Sequence, residues 1–441
     1  MAVCQAAWTT SLATAIRFAP VRGWRIMTKV DLPKQLEQLL EQSELKAPLL
    51  QLVNRVGEIL NGSTHPFFPD YTDHGVDHIN QVLKTEVGLV PQNAWALLHD
   101  ADAAVIIGAT LLHDIAMHLH PDGFRELIAQ PARFQPLAWF KENQERHSAD
   151  RPWYDLWQDY IREARKFSAR ILINIVGEQS VREGWKFQNL PEDSGQWETN
   201  HRLIVGEFIR RHHARLAHEI AIYGFPGLKA GFNDRQFPTL GAEENALTNL
   251  ADMIGLTARS HGLSLRICKT YLDSNPLYAG TLRPMNTAVL FPMSLLRVAD
   301  YLQIDRQRAP AVLLHLRNPQ SPKSIQEWKK HLAVQNIAPA IDPRGKMVTI
   351  NTNISLELCL QMRELLDGLQ NEIDLSAAVL DEFYGPRNDL GLDQLGLAIR
   401  RIHSNLDMPA FRDSLPFVPE RTGFSVDPNL LTLLVEPLFA S

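Results

Sequence analysis

The 441-residue chain is poor in cysteine: Cys4, Cys268 and Cys359 are widely scattered and show no Cys-x-x-Cys spacing. This pattern excludes a disulfide framework and a thiolate zinc site as the basis of the fold. It is typical of a reducing compartment, and we expect a cytoplasmic location. An excess of positive charge is also missing, because the formal net charge is −6. General nucleic-acid binding is therefore not expected.

Long hydrophobic runs are absent too. The longest predominantly apolar stretch, residues 103–112, is about half of the roughly 20 residues that a bilayer-spanning helix needs. We therefore predict a buried helix there and no membrane association. In residues 1–26 the arginines follow an alanine-rich stretch, whereas a secretory signal has its basic residues first. This segment is expected to be a disordered leader or an over-extended start before Met27.

Amphipathic spacing of apolar residues dominates the chain from Leu36 to about Tyr301, as in "LLQLVNRVGEIL" and "HRLIVGEFIRRHHARLAHEIAIY". Apolar residues three and four positions apart form one face of a helix. The sequence therefore predicts a mainly α protein with a helical domain over residues 27–310.

The pattern changes after Pro310. The stretch "AIDPRGKMVTINTNI" alternates apolar and polar residues behind a Pro-Arg-Gly turn, which predicts a short hairpin, and helical spacing resumes at Leu356. We predict a small α+β appendage over residues 311–400. Residues 401–441 form a Pro-rich tail whose end, "LLTLLVEPLF", is apolar enough that we expect it to dock on the appendage or on a partner.

Histidine and aspartate residues are concentrated in five separate helical segments. In chain order the segments carry His74 and His78; His113 and Asp114; His212, His213 and His218; His261; and Asp300. Several of these polar groups lie among apolar residues, and burying a charge is costly unless it is paired or bound to metal. A metal site would explain the pattern. The alternatives are a helix-capping role for His74 beside Asp73 and an ordinary core position for His218.

These segments resemble the signature of HD-domain metal-dependent phosphohydrolases, in which a histidine, a distant His-Asp pair and a more distant aspartate lie on core helices. The resemblance covers roughly residues 60–310 and rests on "HINQV", "LLHDIAMH" and "LLRVADYLQ". It implies an HD-domain-like helical bundle. It also implies a metal site formed by His78, His113, Asp114 and Asp300.

The same resemblance places two further histidines, His213 and His261, where two-metal members of the superfamily hold a second ion. His74 stands where HD-GYP enzymes have a glutamate ligand. The implied cofactor is one or two divalent ions of manganese, iron, nickel or zinc, with Asp114 able to bridge them. There is no GYP motif, and the lysine that often follows the doublet in HD-GYP enzymes is Met117 here. Hydrolysis of cyclic-di-GMP is therefore not expected.

The implied function is hydrolysis of a phosphoester or phosphoanhydride of a nucleotide-like substrate by a metal-activated hydroxide, with Asp114 as a catalytic residue. His118 or His120 is a candidate to protonate the leaving group. Four arginines are candidates for binding the substrate phosphate, although such clusters are also common on solvated helix faces. They are Arg210, Arg211, Arg215 and Arg297.

A closer resemblance involves "FPDYTDHGVDHINQVL", "LLHDIAMH" and "FVPER", which look like the HD-type domain that precedes a histidine-kinase/Hsp90-like ATPase domain in longer proteins. It implies an alternative function, namely a weakly catalytic or non-catalytic sensor of a nucleotide or metal that regulates a partner ATPase or effector through the tail. A second His-Asp pair, His99 and Asp100, precedes the buried run and is interpreted as a polar helix start rather than a metal site. Neither the substrate nor the oligomeric state is indicated by the sequence.

Overall fold

The computed structural model describes residues 29–72, 74–131, 134, 151–227, 229–230, 235–236, 246–304, 308–309 and 321–417. The leader, the start of the predicted appendage and most of the apolar tail lie outside these residues. The described chain is mainly α-helical with a small three-stranded sheet, which confirms the predicted fold class.

The helices alternate with short loops and 3-10 turns. In chain order they are α1 (Lys34–Leu39), α2 (Lys46–Gly62), α3 (Val76–Leu89), α4 (Asp100–Leu112), α5 (Pro121–Leu127), α6 (Trp153–Ala164), α7 (Ala169–Val176), α8 (Glu178–Arg182), α9 (Thr199–Tyr223), α10 (Ala251–Ser260), α11 (Leu265–Ser274), α12 (Leu290–Tyr301), α13 (Pro322–Ala333), α14 (Leu356–Tyr384) and α15 (Pro409–Ser414). The amphipathic segments predicted from apolar spacing fall within α2 and α9.

Helix α4 is the central element of the bundle. It packs against α2, α3, α10 and α12, and every residue from Ala101 to Leu112 is buried. Within the described part of the chain, Asp100–His118 is the one helical stretch long and apolar enough to cross a membrane, and 94% of its window is buried inside the protein. The run 103–112 is therefore a core helix, as predicted.

Close approach of α9 and α10 depends on Gly255. A Cβ atom built at this position would lie 2.3 Å from the ring of His218 and 2.9 Å from the carbonyl oxygen of the same residue, both on α9. Real side chains do not tolerate such distances, so glycine allows the two helices to pack in direct contact. This packing brings histidines from α9 and α10 to the end of α4.

The appendage contains the predicted hairpin. Strand β3 (Val334–Pro339) pairs antiparallel with β4 (Gly345–Ile350) across the Pro-Arg-Gly turn. A third strand, β5 (Arg401–Ser404), pairs parallel with β4 and was not predicted. A separate two-stranded ribbon, β1 (Lys229–Ala230) and β2 (Arg235–Gln236), lies between α9 and α10 in the chain.

Helix α14 joins the appendage to the helical bundle. Near its start, Cys359 and Met362 belong to a small core beneath the sheet. Further along, Leu369, Ile373 and Tyr384 belong to the main core. The two regions are therefore connected by one continuous helix, and the predicted domain boundaries stay predictions.

Candidate metal centre

The first cluster of predicted ligands lies at the buried end of α4. His78 is in the first turn of α3, His113 directly follows α4, and Asp300 is in the last turn of α12. The Nε2 atoms of His78 and His113 are 3.2 Å apart, and Nε2 of His78 is 3.5 Å from Oδ1 of Asp300. Residues separated by more than 200 positions in sequence are thus brought within the reach of one ion.

The second cluster consists of His213, in the middle of α9, and His261, which caps the C-terminus of α10. Their Nε2 atoms are 2.7 Å apart. Both are close to the same carboxylate oxygen, because Oδ1 of Asp114 is 3.6 Å from Nε2 of His213 and 3.9 Å from Nε2 of His261.

Asp114 lies between the two clusters. Its Oδ2 atom is 3.3 Å from Nε2 of His113 and 3.8 Å from Nε2 of His78, whereas Oδ1 faces the second cluster. The backbone leaves the helix at this residue, with φ −108° and ψ 7°. This bridge-region conformation is frequent at active sites, and the side chain of Asp114 presents one oxygen to each pair of histidines.

His74 lies beside the first cluster, not the second. It precedes α3 instead of belonging to it, and its Nε2 atom is 3.9 Å from Oδ2 of Asp114. Its Nδ1 atom donates to the carbonyl oxygen of Thr72 at 2.8 Å. The predicted position of His74 on the helix is therefore wrong, whereas a capping role beside Asp73 stays a prediction because Asp73 lies outside the described residues.

Three of the candidate histidine ligands are oriented by backbone carbonyl oxygens. Nδ1 of His113 is 2.7 Å from the carbonyl oxygen of Thr110, and Nδ1 of His213 is 2.8 Å from that of Arg210; His261 makes the same contact to Ala258. A carbonyl oxygen can only accept, so each of these Nδ1 atoms carries a proton and Nε2 is the ring atom that can bind a metal.

Facing lone pairs repel unless a proton or a cation lies between them. The Nε2 atoms of His213 and His261 are 2.7 Å apart, and those of His78 and His113 are 3.2 Å apart. Each pair has a carboxylate oxygen of Asp114 nearby, and all donor atoms of either triad lie within 4.8 Å of one another. Imidazole nitrogen with carboxylate oxygen suits divalent transition metals, so the residues present fit one or two such ions.

The pKa values of the two aspartates favour their negatively charged forms at this centre. Burial opposes ionisation of Asp114 and Asp300, but neighbouring histidines outweigh it and lower both pKa values. Burial lowers the pKa of His78, and burial together with His213 lowers that of His261 to about 4. At His113, burial is outweighed by Asp114, which raises the pKa of the imidazole. A cation entering the first cluster would therefore displace a proton from His113.

The prediction that His118 donates a proton conflicts with its surroundings. Its Nε2 atom is 3.1 Å from the carbonyl oxygen of His74, so the proton on Nε2 is already used. Burial lowers the pKa of His118 to about 3, which keeps the ring neutral near pH 7 and makes it a poor acid. His120 has an exposed side chain that caps α5 and faces Asp122.

Three of the four predicted phosphate-binding arginines are on α9 and are paired with glutamates. Arg210 makes two 2.8 Å hydrogen bonds to Glu207, and Arg211 bonds the same carboxylate at 3.1 Å. Arg215 is buried, bonds Glu219 at 2.8 Å, and lies 4.4 Å from the centre of the Trp153 ring. None of these guanidinium groups contacts the metal-centre residues.

The guanidinium of the fourth arginine, Arg297, was predicted to bind phosphate but is bonded to other groups of the protein. Its guanidinium forms a two-bond ion pair with Glu372 of α14 and donates to the carbonyl oxygens of Ser260 and Leu263. These carbonyls lie on either side of His261 in the chain, so Arg297 holds the turn that presents this histidine.

Sequence reasoning missed Arg308. Next to burial, its positive charge contributes most to lowering the pKa of His78, which places this guanidinium near the centre. Its position eight residues after Asp300, beyond the end of α12, gave no periodic signal that could be read from sequence.

His218 and the His99–Asp100 pair make contacts that are explained by structural roles. Nε2 of His218 bonds Asp252 at 2.8 Å, away from the centre. His99 begins α4 in a capping box with Asp102, and Asp100 accepts a hydrogen bond from Ser43. This pair lies at the opposite end of α4 from Asp114, about 20 Å away for a helix of this length.

Comparison with known proteins gives one family. The HD-CE family matches residues 68–375, which include every predicted metal ligand. No curated protein and no solved structure matches the chain. The match covers well over half of the sequence and contains both histidine clusters and the Asp114 turn. The chain therefore belongs to the HD-CE family of HD-type domains.

Proposed function

We propose that this protein is a metal-dependent phosphohydrolase that cleaves a phosphoester or phosphoanhydride bond of a nucleotide-like substrate. The main support is the position of Asp114, whose two carboxylate oxygens each face a separate pair of histidines. Two ions held a few ångströms apart would suit hydrolysis at phosphorus, because both the attacking and the leaving oxygen need nearby positive charge.

The first ion would be held by His78, His113, Asp114 and Asp300, and the second by Asp114 with His213 and His261. His74 is close enough to Oδ2 of Asp114 to complete the first group. When bound, such ions polarise a phosphoryl oxygen and make water more acidic.

The chain's own residues prepare the centre in three ways. The carboxylates of Asp114 and Asp300 keep their negative charge, which offsets that of the ions. The Nδ1–H···O=C bonds hold the rings in orientation, so little ordering is needed when an ion binds. The apolar helix α4 excludes water from one side of the centre, which strengthens electrostatic contacts there.

The test is metal analysis of purified protein, followed by hydrolysis of a nucleotide panel with added Mn²⁺. The expected result is stoichiometric metal together with release of phosphate or of a nucleotide product from at least one substrate. Absence of bound metal after incubation with manganese, iron, nickel and zinc would contradict the proposal.

A second candidate function, a sensor that binds a nucleotide or metal with little turnover, has its own support. The predicted phosphate-binding arginines are occupied by glutamates, and His118 is not suited to donate a proton. In this proposal a cytoplasmic partner ATPase or effector binds the apolar tail, of which residues 418–441 lie outside the described chain. Stoichiometric metal without turnover of any nucleotide would favour this second function.

A further inference from the structure

Asp300 is the candidate ligand that packing encloses least. Its side chain is 29% exposed, compared with 13% for Asp114 and 0% for His78 and His113. It lies in the last turn of α12, where the backbone carbonyls no longer have donors from a following turn of helix. The position of this carboxylate therefore depends on what fixes the end of α12.

Gln303 fixes that end. The chain leaves α12 in a tight turn, because the N–H of Gln303 bonds the carbonyl oxygen of Asp300 at 2.9 Å. In a continuing helix the same N–H would bond the carbonyl oxygen of Ala299. The side chain of Gln303 supplies the missing donor, since its Nε2 atom is 3.3 Å from that oxygen. One residue thus bonds the backbone of Asp300 and of the residue before it.

The same side-chain amide reaches α3. Nε2 of Gln303 donates to Oγ1 of Thr85 at 2.9 Å and lies 3.4 Å from the carbonyl oxygen of Gln81. Both residues belong to α3, and His78 is in the first turn of this helix. Gln303 therefore joins the helix that carries His78 to the end of the helix that carries Asp300.

This link lies in the protein interior, where Gln303 is only 7% exposed. Hydrogen bonds shielded from water are electrostatically stronger than exposed ones, and each has a preferred distance and angle. The apolar contacts between α3 and α12 are not directional in this way. The amide therefore restricts the relative position of the two helices more narrowly than apolar packing does.

A metal site needs such a restriction. Ligand distances in metal sites are defined to about 0.2 Å. Nε2 of His78 and Oδ1 of Asp300 are 3.5 Å apart across the contact between α3 and α12. A small shift of either helix would carry one of these two atoms out of reach of a shared ion.

We propose that Gln303 is a positioning residue of the first ion, because it joins the end of α12 to α3 and so holds Asp300 at ligand distance from His78. The inference rests on the metal centre of the proposed function and adds a residue that contacts neither the ion nor the substrate. Loss of the amide should weaken binding of the first ion. The second ion should be spared, because its histidines are on α9 and at the end of α10.

The test isolates the first ion. In the full-length protein, His213→Ala removes a ligand that belongs to the second ion only, and this variant is the parent for the measurement. Mn²⁺ is titrated in a chelator buffer, and the bound metal is measured per mole of chain by elemental analysis. Gln303→Met keeps the length of the side chain and removes the amide. We expect it to weaken Mn²⁺ binding by about tenfold relative to the parent.

Gln370→Met in the same parent is the matched control. The amide of Gln370 also joins a helix to another element, because its Nε2 is 3.0 Å from the carbonyl oxygen of Arg400 and its Oε1 accepts from the N–H of Ile402 at 2.9 Å. Its partners belong to the appendage and not to a helix of the first ion site. Both variants should lower the urea midpoint of unfolding, but only Gln303→Met should weaken Mn²⁺ binding. Equal Mn²⁺ affinity in the two variants would overturn the positioning role.

Thr85→Val tests the connection to α3, because it removes the oxygen that accepts from Gln303. We expect weaker Mn²⁺ binding in this variant as well. In the double variant with Gln303→Met the loss should be smaller than the product of the two single factors. Full multiplication would contradict the link. If the parent binds no Mn²⁺, the metal centre itself is refuted together with this proposal, whereas equal binding by the parent and Gln303→Met overturns only the role of Gln303.

Discussion

Replacing Arg297 distinguishes a structural role from the phosphate-binding role predicted from sequence. Its side chain is 9% exposed and that of Glu372 is 11% exposed, and their second hydrogen bond is 2.7 Å long. Arg297→Met leaves the Glu372 carboxylate buried without its partner. Breaking a buried pair from one side costs about 3–5 kcal/mol. The carbonyls of Ser260 and Leu263 also lose a donor, which adds to this loss.

The assay is urea unfolding of wild type, Arg297→Met, Glu372→Leu and the double variant. We expect a loss of at least about 3 kcal/mol for Arg297→Met and a smaller loss for the double variant than the sum of the two single changes. The exposed pair Arg266–Glu382 provides the control, since it also makes two hydrogen bonds to α14. Arg266→Met should leave the unfolding midpoint nearly unchanged.

Arg297→Met should also weaken metal binding at the second cluster, because the turn that carries His261 loses its anchor. The structural role of Arg297 would be refuted by the following result. If Arg297→Met unfolds like Arg266→Met and instead weakens binding of inorganic phosphate, the guanidinium contacts substrate and the ion pair is dispensable.

Two further changes test the core and the tail. Burial raises the pKa of Glu86 from 4.5 to about 8. Between these two pH values Glu86 is protonated in the folded protein but ionised in the unfolded chain. The free energy of unfolding therefore falls as the pH rises from 4.5 to about 8. Glu86→Gln removes this ionisable group and should therefore raise the stability of the protein at pH 8 by several kcal/mol, at about 1.4 kcal/mol for each unit of pKa shift. At pH 5 the substitution should change the stability little. Thermal unfolding of both proteins at the two pH values measures the difference. Truncation before Leu415 should change solubility or assembly in size-exclusion chromatography if the apolar tail docks, and unaltered elution would count against docking.

The residues that converge at the candidate metal centre could be singled out from the sequence because their signal is local. An apolar run followed by His113 and Asp114 shows where a buried helix ends, and His78 is followed by a helical pattern. The start of α3 was placed too early, which put His74 on a helix that begins at Val76. Helix boundaries depend on backbone geometry that apolar spacing does not report.

The arginines predicted to bind phosphate are paired with glutamates, and these pairings differ in how visible they are from the sequence. Glu207 is three and four residues from Arg210 and Arg211, and Glu219 is four residues after Arg215, so these pairings were visible as helical spacing. By contrast, Arg297 and Glu372 are 75 residues apart and meet only because α14 crosses the bundle. No local pattern contains that information.

The appendage shows the same division between local and distant signals. The hairpin was predicted because its turn and its alternation are contiguous in sequence. Strand β5 has four residues and pairs parallel with β4 from more than 50 positions away. A short strand of this kind is stabilised by its position in the fold and not by its own composition.

Metal stoichiometry tests the central claim most directly. Wild type, Asp114→Asn and Asp100→Asn would be loaded with Mn²⁺, desalted, and measured by elemental analysis per mole of chain. Asp114→Asn keeps the shape of the side chain but removes the charge shared by both histidine pairs, whereas Asp100 begins α4 at the far end. We expect two ions per chain in wild type and in Asp100→Asn, and loss of metal from both sites in Asp114→Asn. Equal metal content in the two variants would contradict a centre bridged by Asp114.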